Sequence, residues 1–130
     1  MTEMERSTTL PWRKVLPLVP GPKGERSVTQ FRHGTLEVKF SAPLAPNDQI
    51  PHTQDELYCV VRGHGYLWHD GKRDPCGPGD LLFVSAGTEH HFEEFSEDFR
   101  VWVIYYGPDG GEVVAQPGAP ADVPASRGRR

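Results

Sequence analysis

The sequence predicts an all-β chain, a sandwich or barrel of short strands, on three observations. Thirteen prolines and 14 glycines in 130 residues are more punctuation than a helical protein tolerates. Short runs rich in β-branched and aromatic residues alternate with turn signals about every ten residues, the spacing of sandwiches and barrels. No stretch shows apolar residues at helical spacing over three turns. A chain of 130 residues with one kind of element throughout is a single domain.

The elements follow in order. Residues 1–26 contain "PWRKVLPLVPGP", where Pro11, Pro17, Pro20 and Pro22 interrupt apolar residues. Proline fixes φ and removes a ladder donor, so this segment reads as an extended N-terminal arm. Residues 27–108 hold the strands. Val28 to Phe31 comes first, then Thr35 to Phe40, in which Leu36, Val38 and Phe40 alternate with Thr35, Glu37 and Lys39. After the loop "SAPLAPNDQ" comes Leu57 to Val61, then "RGHG", then Tyr66 to Trp68 and the hairpin turn "HDGK". "CGPGD" leads into Leu81 to Val84, "SAGTEH" breaks that run, and Arg100 to Tyr106 is the last strand. Residues 109–130, ending "PGAPADVPASRGRR", lack aromatics and read as a flexible tail.

Composition excludes several functions. Net charge is -4, the sequence pI is near 5.8, and the one basic run is Arg127 to Arg130, so no nucleic-acid partner is expected. Met1 to Leu10 is polar and no apolar run reaches membrane-spanning length. Cys59 and Cys76 lack zinc-knuckle spacing. A cytoplasmic protein with reduced thiols is the expectation.

Three strands, Leu57 to Val61, Leu81 to Val84 and Val101 to Tyr106, are apolar on both faces. Both faces must then be covered. The arm residues Trp12, Val15, Leu16, Leu18 and Val19 can cover one sheet of their own chain or reach a neighbour, and a homodimer with the arm at its interface is expected.

The strand entered through "PHTQDELYCVV" poses the functional question. Alternation puts His52, Gln54, Glu56 and Tyr58 on one face. Of the adjacent His90 and His91, one faces in and the other out, and His90 is taken as the inward one. Tyr58, Phe92 and either Trp102 or Tyr105 are candidates to line a cavity. His33, His64 and His69 sit at turns and are expected to be exposed. The run Glu93, Glu94, Glu97 and Asp98 reads as a solvated turn, and Cys59 as a small buried hydrophobe.

Order and spacing add more. Glu56 followed by Gly63, with His52 ahead of it, and then Gly79, Gly87 and His90, resemble the two motifs of the cupin superfamily. The resemblance spans roughly Thr35 to Tyr106 and implies a cupin-type jelly-roll β-barrel. Three departures stand out: Ile50 occupies the position of the first motif histidine, Ser85 that of the second motif's proline, and Glu94 that of its asparagine. The family's four-ligand set thus reduces to His52, Glu56 and His90, with Gln54 able to offer a carbonyl oxygen to a metal or to a substrate. Ile50, Tyr58 and Phe92 are then expected around the pocket.

Two imidazoles and one carboxylate suit iron, zinc, manganese, nickel or copper. The resemblance implies a divalent-metal cupin acting on a small organic molecule by dioxygenase- or isomerase-like chemistry. The alternative is a non-catalytic cupin that binds a small ligand, with or without metal, its histidine and glutamate forming a hydrogen-bonded pair. No DNA-reading segment accompanies the strands, so a self-contained transcription factor is not expected.

Overall fold

A computed structural model describes residues 6–47 and 51–113. Eight strands form two antiparallel sheets: β1 (Ser27–His33), β2 (Leu36–Ser41), β3 (Asp55–Arg62), β4 (Gly65–His69), β5 (Lys72–Cys76), β6 (Leu81–Val84), β7 (His90–Glu93) and β8 (Arg100–Tyr106). One sheet has the order β1-β2-β8-β3-β6 and the other the order β5-β4-β7. This is the all-β jelly roll that the motifs imply.

β5 and β7 were not legible as strands. β5 carries four exposed residues, one of them Pro75, which an edge strand accepts because its N–H side needs no partner. β7 is four residues long and pairs with β4 from Tyr66↔Glu93 to His69↔His90.

The core lies between the sheets. Tyr58, Val60, Val84, Val101 and Val103 of the larger sheet meet Leu67 and Phe92 of the smaller one, with Phe99 beside them. The reverse face of the larger sheet is also apolar. Phe40, Trp102, Cys59 and Leu81 form one row across four strands. Cys59 faces away from Glu56 as alternation requires, but it is half-buried rather than buried. Cys76 is buried, and burial with the nearby Asp80 charge pushes its thiol up to about 11.

The arm covers part of that reverse face, and it is not extended. Helix α1 (Trp12–Val15) runs into a 3-10 turn at Leu16–Leu18. Pro11 caps the helix and Pro17 opens the 3-10 turn, positions where a missing N–H breaks nothing. Val15 and Val19 pack on Phe40 and Ala42 of the same chain, with Trp12 and Leu16 beside them. The cover stops short of β6, where Leu81 and Phe83 remain 66% and 54% exposed.

The motif glycine Gly63 is a steric requirement. Its φ is 78°, and a Cβ there would stand 2.8 Å from the Phe99 Cα. No helix among the described residues is long and apolar enough to cross a membrane.

Candidate metal centre

Three segments supply the site. β3 turns Glu56, Tyr58 and Val60 inward, and Glu56 is 1% exposed. His52 lies on the segment entering β3, and its carbonyl accepts the Gly87 N–H at 2.7 Å. Gly87, at φ 79°, belongs to the β6–β7 loop, which ends where β7 begins with His90. One hydrogen bond therefore ties the segment carrying His52 to the loop carrying His90.

Asp55 makes a second tie, and no spacing rule singled it out. Its carboxylate accepts the Glu112 N–H at 3.0 Å and the Ala86 N–H at 2.9 Å. Those two donors hold the carboxyl below the usual aspartate range, Glu112 contributing most.

The structure brings His52, Glu56 and His90 together, with one ligand atom from each lying within 4.8 Å of the others. Glu56 Oε1 is 3.1 Å from His90 Nε2 and 3.7 Å from His52 Nε2. His90 is 1% exposed, and its Nδ1 lies 2.8 Å from the Thr88 carbonyl oxygen. A carbonyl only accepts, so Nδ1 carries the hydrogen and the neutral ring leaves a lone pair on Nε2. That lone pair faces Glu56 and the Tyr58 hydroxyl, which is 3.0 Å away. His52 Nε2 lies 3.1 Å from the Tyr105 hydroxyl.

The two imidazoles are pushed in opposite directions. Burial lowers the His52 pKa, the Glu56 charge offsets part of this, and charge on His90 and Lys39 lowers it further. Burial also works against a charged His90, but Glu56 and the Thr88 carbonyl outweigh it and raise the pKa. Burial and the Glu56 charge hold the Tyr105 phenol well above its ordinary value, so it remains a neutral hydroxyl.

The decisive atom pair is the Glu56 carboxylate. Among the described residues neither buried oxygen receives a hydrogen bond from a neutral group, and the nearest nitrogen, His90 Nε2 at 3.1 Å, donates only when that ring is protonated. The two imidazoles balance this buried charge only when protonated, whereas a metal cation would balance it with both rings neutral. The donor set, one carboxylate and two imidazole nitrogens, is one that a divalent transition metal accepts. The residues present therefore fit a metal ion.

The other expected residues fall as follows. Glu56, Tyr58, Phe92 and Tyr105 line a cavity of about 350 Å³ at the mouth of the barrel. Trp102 does not, since it sits on the reverse face against Phe40, with ring centroids 4.8 Å apart. The Gln54 amide donates to the carbonyls of Gly107 at 2.8 Å and Thr35 at 3.0 Å, beside the opening next to His52. Ile50 lies outside the described residues. His33 and His64 are exposed, but His69 is partly buried and bonded to Asp74 at 2.7 Å. His91 points away from the site and stacks on Trp68, with centroids 5.1 Å apart. Of the acidic run, Glu93 is partly buried and, with Glu94, pairs with Arg73.

Against this geometry, the cupin-domain family model matches residues 41–105, half of the chain. The chain belongs to the cupin domain family. An arabinose operon regulatory protein of Salmonella typhimurium is 29% identical to this cupin over 76 residues, 56% of this chain and 25% of that protein. An acireductone dioxygenase of Acidiphilium cryptum is 40% identical over 82 residues, 59% of this chain and 42% of that protein. The chain spans between 25% and 60% of the length of the curated relatives it matches. A cupin-2 domain containing protein from Shewanella frigidimarina has the same fold, with a TM-score of 0.59 at 13% identity over 73% of this chain and 91% of that one.

Proposed function

We propose that this cupin is a metal-dependent enzyme acting on a small organic molecule, with His52, Glu56 and His90 holding one divalent ion (iron, zinc, manganese, nickel or copper). The observation that carries the reading is the buried Glu56 carboxylate, faced by two imidazole nitrogens at 3.1 and 3.7 Å. The ion would supply Lewis acidity or, if redox-active, activation of dioxygen. The chain's own residues do the rest. The Thr88 carbonyl fixes the His90 tautomer with its Nε2 lone pair toward the centre. Tyr105 orients His52, and Tyr58, Phe92, Val101 and Val103 give the cavity an apolar wall. The similarity to an acireductone dioxygenase over 59% of the chain supports an oxygenase-like reaction.

A second reading is a cupin that binds a small ligand without turning it over. It is supported by the three-residue donor set, Ile50 occupying the family's first histidine position, and by the similarity to a regulatory protein. Elemental analysis of protein purified without an affinity tag tests the metal. Bound metal is expected in the wild type and in His33→Ala and His64→Ala, and loss of metal in His52→Ala, Glu56→Ala and His90→Ala. Equal metal in the wild type and a His52→Ala/His90→Ala double variant would refute the assignment. Bound metal without dioxygen consumption or isomerisation across a substrate panel favours the second reading.

A further inference from the structure

Resting on the reading of the barrel mouth as a ligand site, we infer that its ligand is a small organic anion, a carboxylate drawn by the charges of Lys39 and Arg26, which both line the cavity. Its other end would reach toward Glu56 and the two imidazoles. Lys39 shares the inner face of the larger sheet with the core. It stands in one row with Val103, Tyr58 and Leu82, all of them apolar or aromatic. It is half-buried, and no carboxylate of a described residue lies within ion-pair distance of it. A lysine that served only solubility would sit on the solvent side of a strand.

Arg26 stands on the far rim of the same cavity. Its Nε donates to the Ala42 carbonyl at 2.8 Å, which anchors the guanidinium while leaving its terminal N–H groups for another acceptor. It too has no ion-pair partner among the described residues. Two cations thus line a cavity of about 350 Å³ whose one acidic lining residue, among the described residues, is Glu56. If Glu56 is neutralised by a metal ion, the whole cavity is positive and draws anions. A neutral ligand would leave Arg26 without a counter-charge among the described residues and Lys39 with only Glu37 nearby.

Size agrees with charge. Adjacent strands stand about 4.8 Å apart, so Lys39 and Tyr58, two strands from each other, start roughly 10 Å apart across the sheet. Side chains reaching in from both ends leave room for a small acid. The volume lies at the lower end of the range, about 300–1,000 Å³, of small-molecule sites. Serines flank the cations: Ser27 and Ser41 line the same wall, their hydroxyls 2.5 Å apart, and provide neutral hydrogen-bonding groups beside the carboxylate subsite.

The test pairs acids with amides of the same shape. The full chain is titrated calorimetrically with benzoate against benzamide and with glutarate against glutaramide, in wild type, Lys39→Met, Arg26→Met and the charge-keeping Lys39→Arg. Metal content is measured on every sample. The expected result is binding of the carboxylates and not of the amides, with a tenfold or greater loss in each methionine variant. Lys39→Arg should stay within a few fold of wild type, and metal content should not change in any variant. Amides that bind as well as acids, or no carboxylate bound at all, would overturn the inference. So would carboxylate affinity that survives both methionine changes, because the metal alone would then hold the anion. Metal-free wild type that still prefers the acids would sink the metal reading and leave this one standing.

Discussion

Glu56→Gln separates a metal ligand from a structural partner, because the two roles predict opposite signs in metal-free protein. The change keeps the side chain's shape and removes its charge. In chelator at pH 8 the wild-type carboxylate is 1% exposed, and His90 Nε2, 3.1 Å away, donates to it only while that imidazole is protonated. An unsatisfied buried polar group costs about 1–3 kcal/mol, more when charged. The amide of Gln can instead donate to the His90 Nε2 lone pair, which lies 3.1 Å from Oε1. Metal-free Glu56→Gln should therefore be more stable than wild type by about 1–3 kcal/mol. At about 4 °C per kcal/mol the melting temperature rises by roughly 4–12 °C. Metal at a hundred times its Kd stabilises the wild type by about 2.7 kcal/mol, and a variant with a weakened site gains little of this. The gap between the two proteins should close or reverse when metal replaces chelator. Thermal and urea unfolding of both proteins, each in chelator and in zinc, reads all four states. If Glu56→Gln is less stable than wild type in chelator, the carboxylate is a structural partner of the histidines and the metal assignment fails.

Other outcomes are expected together. Metal binding needs neutral imidazoles, so affinity should fall as pH drops through the raised His90 pKa; His52, whose pKa is lowered, protonates last. Equilibrium dialysis between pH 8 and 5 checks this, and a flat profile refutes it. Ile50→His restores the histidine of the first cupin motif and should tighten metal binding, read by competition with a chelating dye. Gly63→Ala puts a Cβ 2.8 Å from the Phe99 Cα at φ 78°, which should cost about 1–3 kcal/mol in denaturant unfolding. The exposed Leu81 and Phe83 lead us to propose a homodimer through the β6 side of the larger sheet. A wild type that sediments as a monomer at micromolar concentration would dispose of it, and deletion of residues 1–22 should cause aggregation by uncovering Phe40 and Ala42.

The candidate site was legible because its parts obey local rules. Period-two alternation put Glu56 and Tyr58 on one face, and motif spacing selected His90 over His91. Asp55 escaped notice because its partners, the N–H groups of Ala86 and Glu112, are backbone atoms from distant segments. The arm's helix escaped because four prolines, each lacking a ladder donor, suggest an extended segment, whereas two of them occupy helix starts. β5 and β7 carry no apolar run, and they exist as strands because β4 supplies ladder partners on both sides.

By itself the sequence determined the β class, the turns, the glycine at position 63 and the order of the candidate metal-site residues. Each of these follows from backbone sterics or from the two-residue period of a strand, which neighbours in sequence share. It did not determine which face of a strand meets which surroundings. On β2 the apolar alternate, Val38 and Phe40, faces the outer side of the sheet, where the arm covers Phe40, while Lys39 faces the cavity. Alternation separates the two sets of side chains but carries no sign. Only the placement of the second sheet on one face and the arm on the other decided which set lines the site.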